Sequence, residues 1–204
     1  GELKTAINKM SEKCNFPLTE LSVMDGSKRS TKSNAFFTGI GKTRRIVLFD
    51  TLMDNHTEDE LLVVLAHEVG HFKKGHIKKQ ILFSVILSGI MFYLLSFFMN
   101  NKSLFDAFQM DYTSVYCSLI FFGFLFSPID WFTSIITNFY SRKFEFEADR
   151  YAVETTSLGE SLISALKKLS SDNLSNLTPH PLKVFIEYSH PPLIQRINYI
   201  NELK

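Results

Sequence analysis

A chain of 204 residues with a net charge of +1 and no long basic run is poorly suited to nucleic acid, and it leaves room for one domain or a small catalytic unit wrapped around membrane helices. Twenty phenylalanines raise the aromatic fraction to 14%, and much of the apolar content sits in two nearly uncharged blocks. The only two cysteines, Cys14 and Cys117, exclude a disulfide framework, since Cys117 lies inside an apolar block.

The first residue is Gly1 rather than methionine, so the chain reads as a fragment whose upstream part is missing. Leu3, Ile7, Met10 and Cys14 recur at helical spacing and predict a short amphipathic helix over residues 1–14. Three strand-like runs follow: Leu21 to Met24, Asn34 to Thr38 and Arg45 to Phe49. The turn-rich stretches DGSKRSTKS and GIGKT separate them, and a small antiparallel sheet is expected. Thr57 and Glu60 have the form of a capping box, opening a helix that runs through LLVVLAHEVGH.

From Ile81 to Asn101 there is no charge, a run about long enough to cross a bilayer core. From Tyr112 to Ser141 the only charge is Asp130 and the only proline Pro128, which predicts a kinked span or a span followed by a second helix. Membrane segments are therefore expected at about 78–100 and 112–140. Lys73, Lys74, Lys78 and Lys79 precede the first block, and Arg142 and Lys143 follow the second, so both basic ends should share the cytosolic side. Such a hairpin returns the chain to the region of the HEVGH helix. Beyond it, SRKFEFEADRYAVETT reads as helix, Gly159 to Leu177 as another, and SHPPLIQRINYINEL as a last helix introduced by prolines. No repeat or linker divides the chain, so residues 1–204 are taken as one catalytic unit.

His67-Glu68-Val69-Gly70-His71 is an H-E-x-x-H motif. Residues four apart on a helix lie one turn above each other, so both imidazoles can face one zinc ion while Glu68 projects beside them. There Glu68 can act as general base on a water that the metal acidifies, and can then pass the proton to the leaving amine. A catalytic zinc needs a third protein ligand. His76 falls five residues after His71, off the metzincin spacing, and is read as supporting a ligand or as a surface residue. Among the acidic residues of FEFEADRYA, Glu145 and Asp149 share a face and Glu147 points roughly opposite. Glu145 is assigned as third ligand, and Asp149 as the group that orients a ligand histidine through its other ring nitrogen.

With these residues in view, DGSKRS at 25–30, SNAFFTG at 33–39, RIVLFDTLM at 45–53, HEVGH at 67–71, FSPID at 126–130, SRKFEFEAD at 141–149, DNL at 172–174 and SHPPLIQRI at 189–197 together resemble the type 1 CAAX prenyl endopeptidases. The resemblance covers essentially the whole chain in order, with a short connection between RIVLFDTLM and the motif helix. It implies a mainly α membrane protein: a helical metalloprotease core with a small antiparallel β-sheet and two hydrophobic membrane segments, binding one Zn2+ and set in a ring of helices that includes missing N-terminal ones.

It further implies cleavage of the last three residues from prenylated C termini, with membrane lipid as surroundings. The membrane would be that of the endoplasmic reticulum in a eukaryote or the inner membrane in a bacterium. Glu145 matches the family's glutamate ligand, and Asn34 matches an asparagine that holds an extended substrate by strand addition. His190 and Arg196 match a substrate-side pair, His190 stabilising the developing oxyanion and Arg196 pairing with a carboxylate of the site or of the peptide. Asp130 is a weaker candidate, equally suited to a chamber wall or to the membrane boundary. The alternatives are an HtpX-like quality-control protease and a non-catalytic membrane module with a structural zinc, for which no convincing fourth ligand is present.

Overall fold

The computed structural model describes residues 2–16, 18, 20–28, 35–38, 45–99 and 101–204. In chain order the elements are α1 (Glu2–Lys13), β1 (Glu20–Met24), β2 (Ala35–Thr38), β3 (Arg45–Phe49), α2 (Asp50–Asn55), α3 (Glu58–Lys73), α4 (His76–Phe98), α5 (Lys102–Ala107), α6 (Val115–Thr156), α7 (Gly159–Asp172), α8 (Pro181–Glu187) and α9 (Leu193–Glu202).

α1 buries Ile7, Met10 and Cys14 against the core, as its spacing predicts. The three strands form one sheet in the order β1-β3-β2. The expected antiparallel pairing holds between β2 and β3, which a short connection joins. It does not hold between β1 and β3, which are parallel. The reason is topological: β1 pairs not with its successor in sequence but with the far edge of β3, and the stretch between them is long enough for a crossover. The central strand supplies Ile46 and Leu48 to the core.

α3 begins at Thr57, whose hydroxyl accepts from the Glu60 N–H while the Glu60 carboxylate accepts from the Thr57 N–H, the reciprocal capping box. The helix packs against α1, α6 and α7, which explains why it buries Leu61, Val63, Leu65, Ala66 and Val69 and leaves Val64 and Glu68 only half-buried in its middle. It packs tightly on α6 at Gly70. A Cβ there would lie 3.2 Å from the Ala148 Cα and 3.1 Å from the Tyr151 Cβ, so a side chain would force the two helices apart by a few tenths of an ångström.

Gly75 ends the helix with a φ of +68° and turns the chain into α4. α4 and α6 run antiparallel. His76 and Lys79, at the start of α4, pack on Phe144 late in α6. Phe98 at the other end packs on Phe122, and Ser118 donates to the Met99 carbonyl at 2.8 Å. Both helices are long and apolar enough to cross a membrane. Their apolar side chains, among them Leu82, Val85, Phe92, Phe124 and Phe132, face outward rather than into a core. A soluble protein would not leave so long an apolar surface uncovered, and the chain is a membrane protein.

The second apolar block and the acidic segment after it are a single helix of 42 residues, without the break that Pro128 suggested. Pro128 cannot donate to the Phe124 carbonyl, and the Ser127 hydroxyl does so instead, at 2.9 Å. α7 stops at Asp172, short of the expected Leu177. Leu174 takes a φ of +51°, and the Ser175 N–H closes onto the Ser170 carbonyl at 2.9 Å, a Schellman-like stop.

Candidate metal centre

His67 and His71 lie one turn apart on α3 and aim their Nε2 atoms at each other across 3.1 Å. Glu145 of α6 faces both. Its Oε2 is 3.6 Å from His67 Nε2 and its Oε1 3.4 Å from His71 Nε2. One ligand atom from each residue can be chosen so that all three lie within 4.8 Å of one another. Two imidazoles and one carboxylate converging in this way suit a tetrahedral zinc that keeps its fourth position for solvent or substrate.

The surroundings orient these groups. His67 Nδ1 lies 2.9 Å from Asp149 Oδ1, and Asp149 is fully buried. Arg196 of α9 donates to the same carboxylate through Nε at 2.8 Å and through an Nη at 2.6 Å, with a second Nη 3.3 Å from Glu145 Oε2. Burial alone would lower the His67 imidazole, but Asp149 and Glu145 outweigh it and push it up to about 9, a measure of how strongly the site favours a cation. Burial raises the Glu68 carboxyl, against the opposing pull of the two imidazoles. Such a base is nearer in proton affinity to the water it would serve.

His190 reaches the centre from the loop between α8 and α9. Its Nε2 is 3.5 Å from Glu145 Oε1 and its ring is largely exposed, with Nδ1 held 3.0 Å from Ser189 Oγ. The loop is tied to α6. Asn138 donates to the Ile186 carbonyl at 2.9 Å, and Arg142 donates to Val184 and Tyr188 carbonyls at 2.9 and 2.5 Å. The Val184 carbonyl also accepts from the Tyr188 N–H, and one pair of side chains thus ties the end of α8 and the loop that carries His190 to α6. His67, Glu68, Glu145, His190 and Arg196 share the wall of a cavity of about 280 Å³. An adjoining cavity of about 500 Å³ along α7 shares His190 and Arg196 with it.

Of the sequence candidates, His67, Glu68, His71, Glu145, Asp149, His190 and Arg196 are thus brought together. Asn34 lies outside the described residues. Asp130 is exposed on α6 and lines neither cavity. Of the two readings of His76, that of a surface residue does not hold: it is fully buried, with one ring nitrogen 3.0 Å from His71 Nδ1 and the other 3.0 Å from Oε2 of Glu147, a carboxylate with no role assigned from the sequence. The signal was the Gly75 turn, which folds His76 back over the helix end.

The sequence profile of peptidase family M48 matches residues 1–204. The chain belongs to this family. M48 membership implies a metal ion, and the His67, His71 and Glu145 group is suited to hold it. Among M48 relatives, the chain is 39% identical over 202 residues to the CAAX prenyl protease 1 homolog of Arabidopsis thaliana, an alignment covering 98% of this chain and 47% of that protein. It is 35% identical to the CAAX prenyl protease 1 homolog of Homo sapiens, covering 100% of this chain and 51% of the relative. The crystal structure of S. mikatae Ste24p superposes with a TM-score of 0.90 at 35% identity, over 98% of this chain and 50% of that one. The chain therefore spans about half the length of the relatives it matches.

Proposed function

We propose that the protein is a zinc-dependent endopeptidase, embedded by several helices in a membrane, that removes the C-terminal tripeptide of prenylated CAAX proteins. The observation that carries this is the meeting of His67, His71 and Glu145 from two helices far apart in sequence, with Glu68 on the wall of the same cavity. The relatives' name, CAAX prenyl protease, supports this substrate over misfolded membrane proteins. They come from eukaryotes, which supports an endoplasmic reticulum membrane.

Zinc held there would polarise the scissile carbonyl and acidify the attacking water. Glu68, with its carboxyl raised by burial, takes the proton of that water and hands it to the leaving amine. His190, exposed to the cavity, donates toward the developing oxyanion. Of the two roles expected for Arg196, its contacts favour the pairing with site carboxylates. It holds Asp149 and Glu145 in register and keeps His67 turned toward the centre. Asn34 is retained as the residue that pairs with an extended peptide.

The test is cleavage by the full-length protein of a CAAX peptide with and without a farnesyl group. Preferential release of the tripeptide from the farnesylated peptide, abolished by chelation and restored by zinc, is expected. Equal cleavage of both peptides would remove the prenyl specificity, and no cleavage by a zinc-loaded protein would remove the peptidase reading.

A further inference from the structure

The two motif histidines are supported differently. His67 leans on Asp149, as noted above. Among the described residues, no carboxylate meets the outer nitrogen of His71. It meets a second imidazole, since His76 Nδ1 lies 3.0 Å from His71 Nδ1 and His76 Nε2 lies 3.0 Å from Glu147 Oε2. His76 is 1% exposed and stacks on Phe144 with centroids 4.2 Å apart and planes 12° apart, so its ring cannot swing away without opening the packing between α4 and α6.

The chain of contacts admits one assignment of protons for neutral rings. With His71 Nε2 turned toward His67 and Glu145 as a ligand atom, its proton sits on Nδ1 and is donated to His76 Nδ1. His76 then carries its own proton on Nε2 and donates it to Glu147.

We propose that His76 and Glu147 are positioning residues for the metal centre, a carboxylate-imidazole relay that fixes the tautomer and the angle of His71 just as Asp149 does for His67. The relay joins the first residue of α4 to α6, so it also fastens both membrane-crossing helices to the end of the motif helix. Any buried histidine needs both ring nitrogens paired, and what marks His76 is the identity of its two partners. Here both lie in line between a candidate ligand and a carboxylate.

This inference rests on the metallopeptidase reading, and the experiment separates the two. The full-length protein and its variants are stripped of metal, and Zn2+ affinity is measured by competition with a chelator. The visible spectrum of the Co2+ form is recorded beside it. H76F, which keeps the ring on Phe144 and loses both nitrogens, is expected to lower zinc affinity about 10- to 100-fold and to shift the cobalt bands. E147A is expected to lower affinity by a smaller factor, and E147Q, which keeps an oxygen in the acceptor position, to recover part of it.

Glu147 is partly exposed, so its two variants carry the test should H76F fail to fold. Wild-type zinc affinity and cobalt spectrum in E147A and in folded H76F would overturn the relay and leave the metallopeptidase reading standing. A wild-type protein that binds no zinc would overturn both.

Discussion

Asp149 Oδ1 lies 2.9 Å from His67 Nδ1, and Glu145, one turn earlier on α6, faces Nε2 of the same ring at 3.6 Å. One helix face thus grips one imidazole at both nitrogens, and its two carboxylates have separate tasks. In the proposed centre, removing Glu145 would take away a ligand, whereas removing Asp149 would take away only the orientation of one. E145A is expected to abolish stoichiometric zinc binding, read by metal analysis after dialysis, whereas D149N keeps zinc with an affinity about 10- to 100-fold weaker. Full zinc occupancy in E145A would move the third ligand elsewhere.

Asp149 also neutralises Arg196, whose side chain is 12% exposed. D149A leaves that guanidinium buried without its bidentate partner, with Glu145 and Glu68 the carboxylates still near it. It should destabilise the protein by about 3–5 kcal/mol, seen as a lower melting temperature in detergent. Adding R196M to D149A should restore much of the loss. A further loss in the double variant would show that the pair is not the source.

Among the described residues Glu68 has no hydrogen bond or ion pair to the centre, though it feels the charges of His67, His71, Glu145 and Arg196, as suits a base that must exchange protons. E68Q should keep zinc and lose at least about 100-fold in kcat with farnesylated peptide. Loss of zinc in E68Q would mean that Glu68 is a ligand rather than a base.

Gly70 sets the spacing on which these distances depend. G70A would gain roughly 1 kcal/mol of helix propensity, but its methyl meets the Ala148 backbone, which cannot rotate away. The expected outcome is lower zinc affinity together with a lower melting temperature. A more stable variant with unchanged zinc affinity would show that α3 and α6 have room to spare.

Glu60 gives a pH dependence far from the centre. Burial raises its carboxyl, but Lys168, Ser164 and the Thr57 N–H outweigh that and hold it below the usual value of 4.5. A lowered folded pKa means that this stabilisation is present above pH 4.5 and is lost as pH falls through the folded value. The gap in melting temperature between wild type and E60Q should therefore close below pH 4.5. A gap that widens on acidification would reverse the assignment.

Much of this was legible in the residues. The H-E-x-x-H spacing, the capping box at Thr57 and the uncharged runs each state a local rule, and local rules survive folding. The shared face of Glu145 and Asp149 follows from helical period alone. What was illegible depends on distant contacts. β1 pairs in parallel with β3 because of where the sheet closes, which no alternation of residues encodes. α2, α5 and α8 have six or seven residues each, too few to show a period. Pro128 suggests a kink or a break because a proline removes a backbone donor, and only the structure shows the Ser127 hydroxyl turned onto the Phe124 carbonyl. His76 and Glu147 look unrelated along the chain, since a φ of +68° at Gly75 and the return of α6 are both needed to join them.

The unbroken length of α6 ties chemistry to depth. At 1.5 Å per residue, Glu145 stands roughly 45 Å along the rod from Val115, with no hinge between the two. Under the proposed function, the scissile bond would be presented at a height that this length of helix sets. A bilayer that tilts the rod to hide its apolar length would shift Glu145 and Asp149 as one piece, and in an active protein the thickness of the host membrane would then bear on turnover.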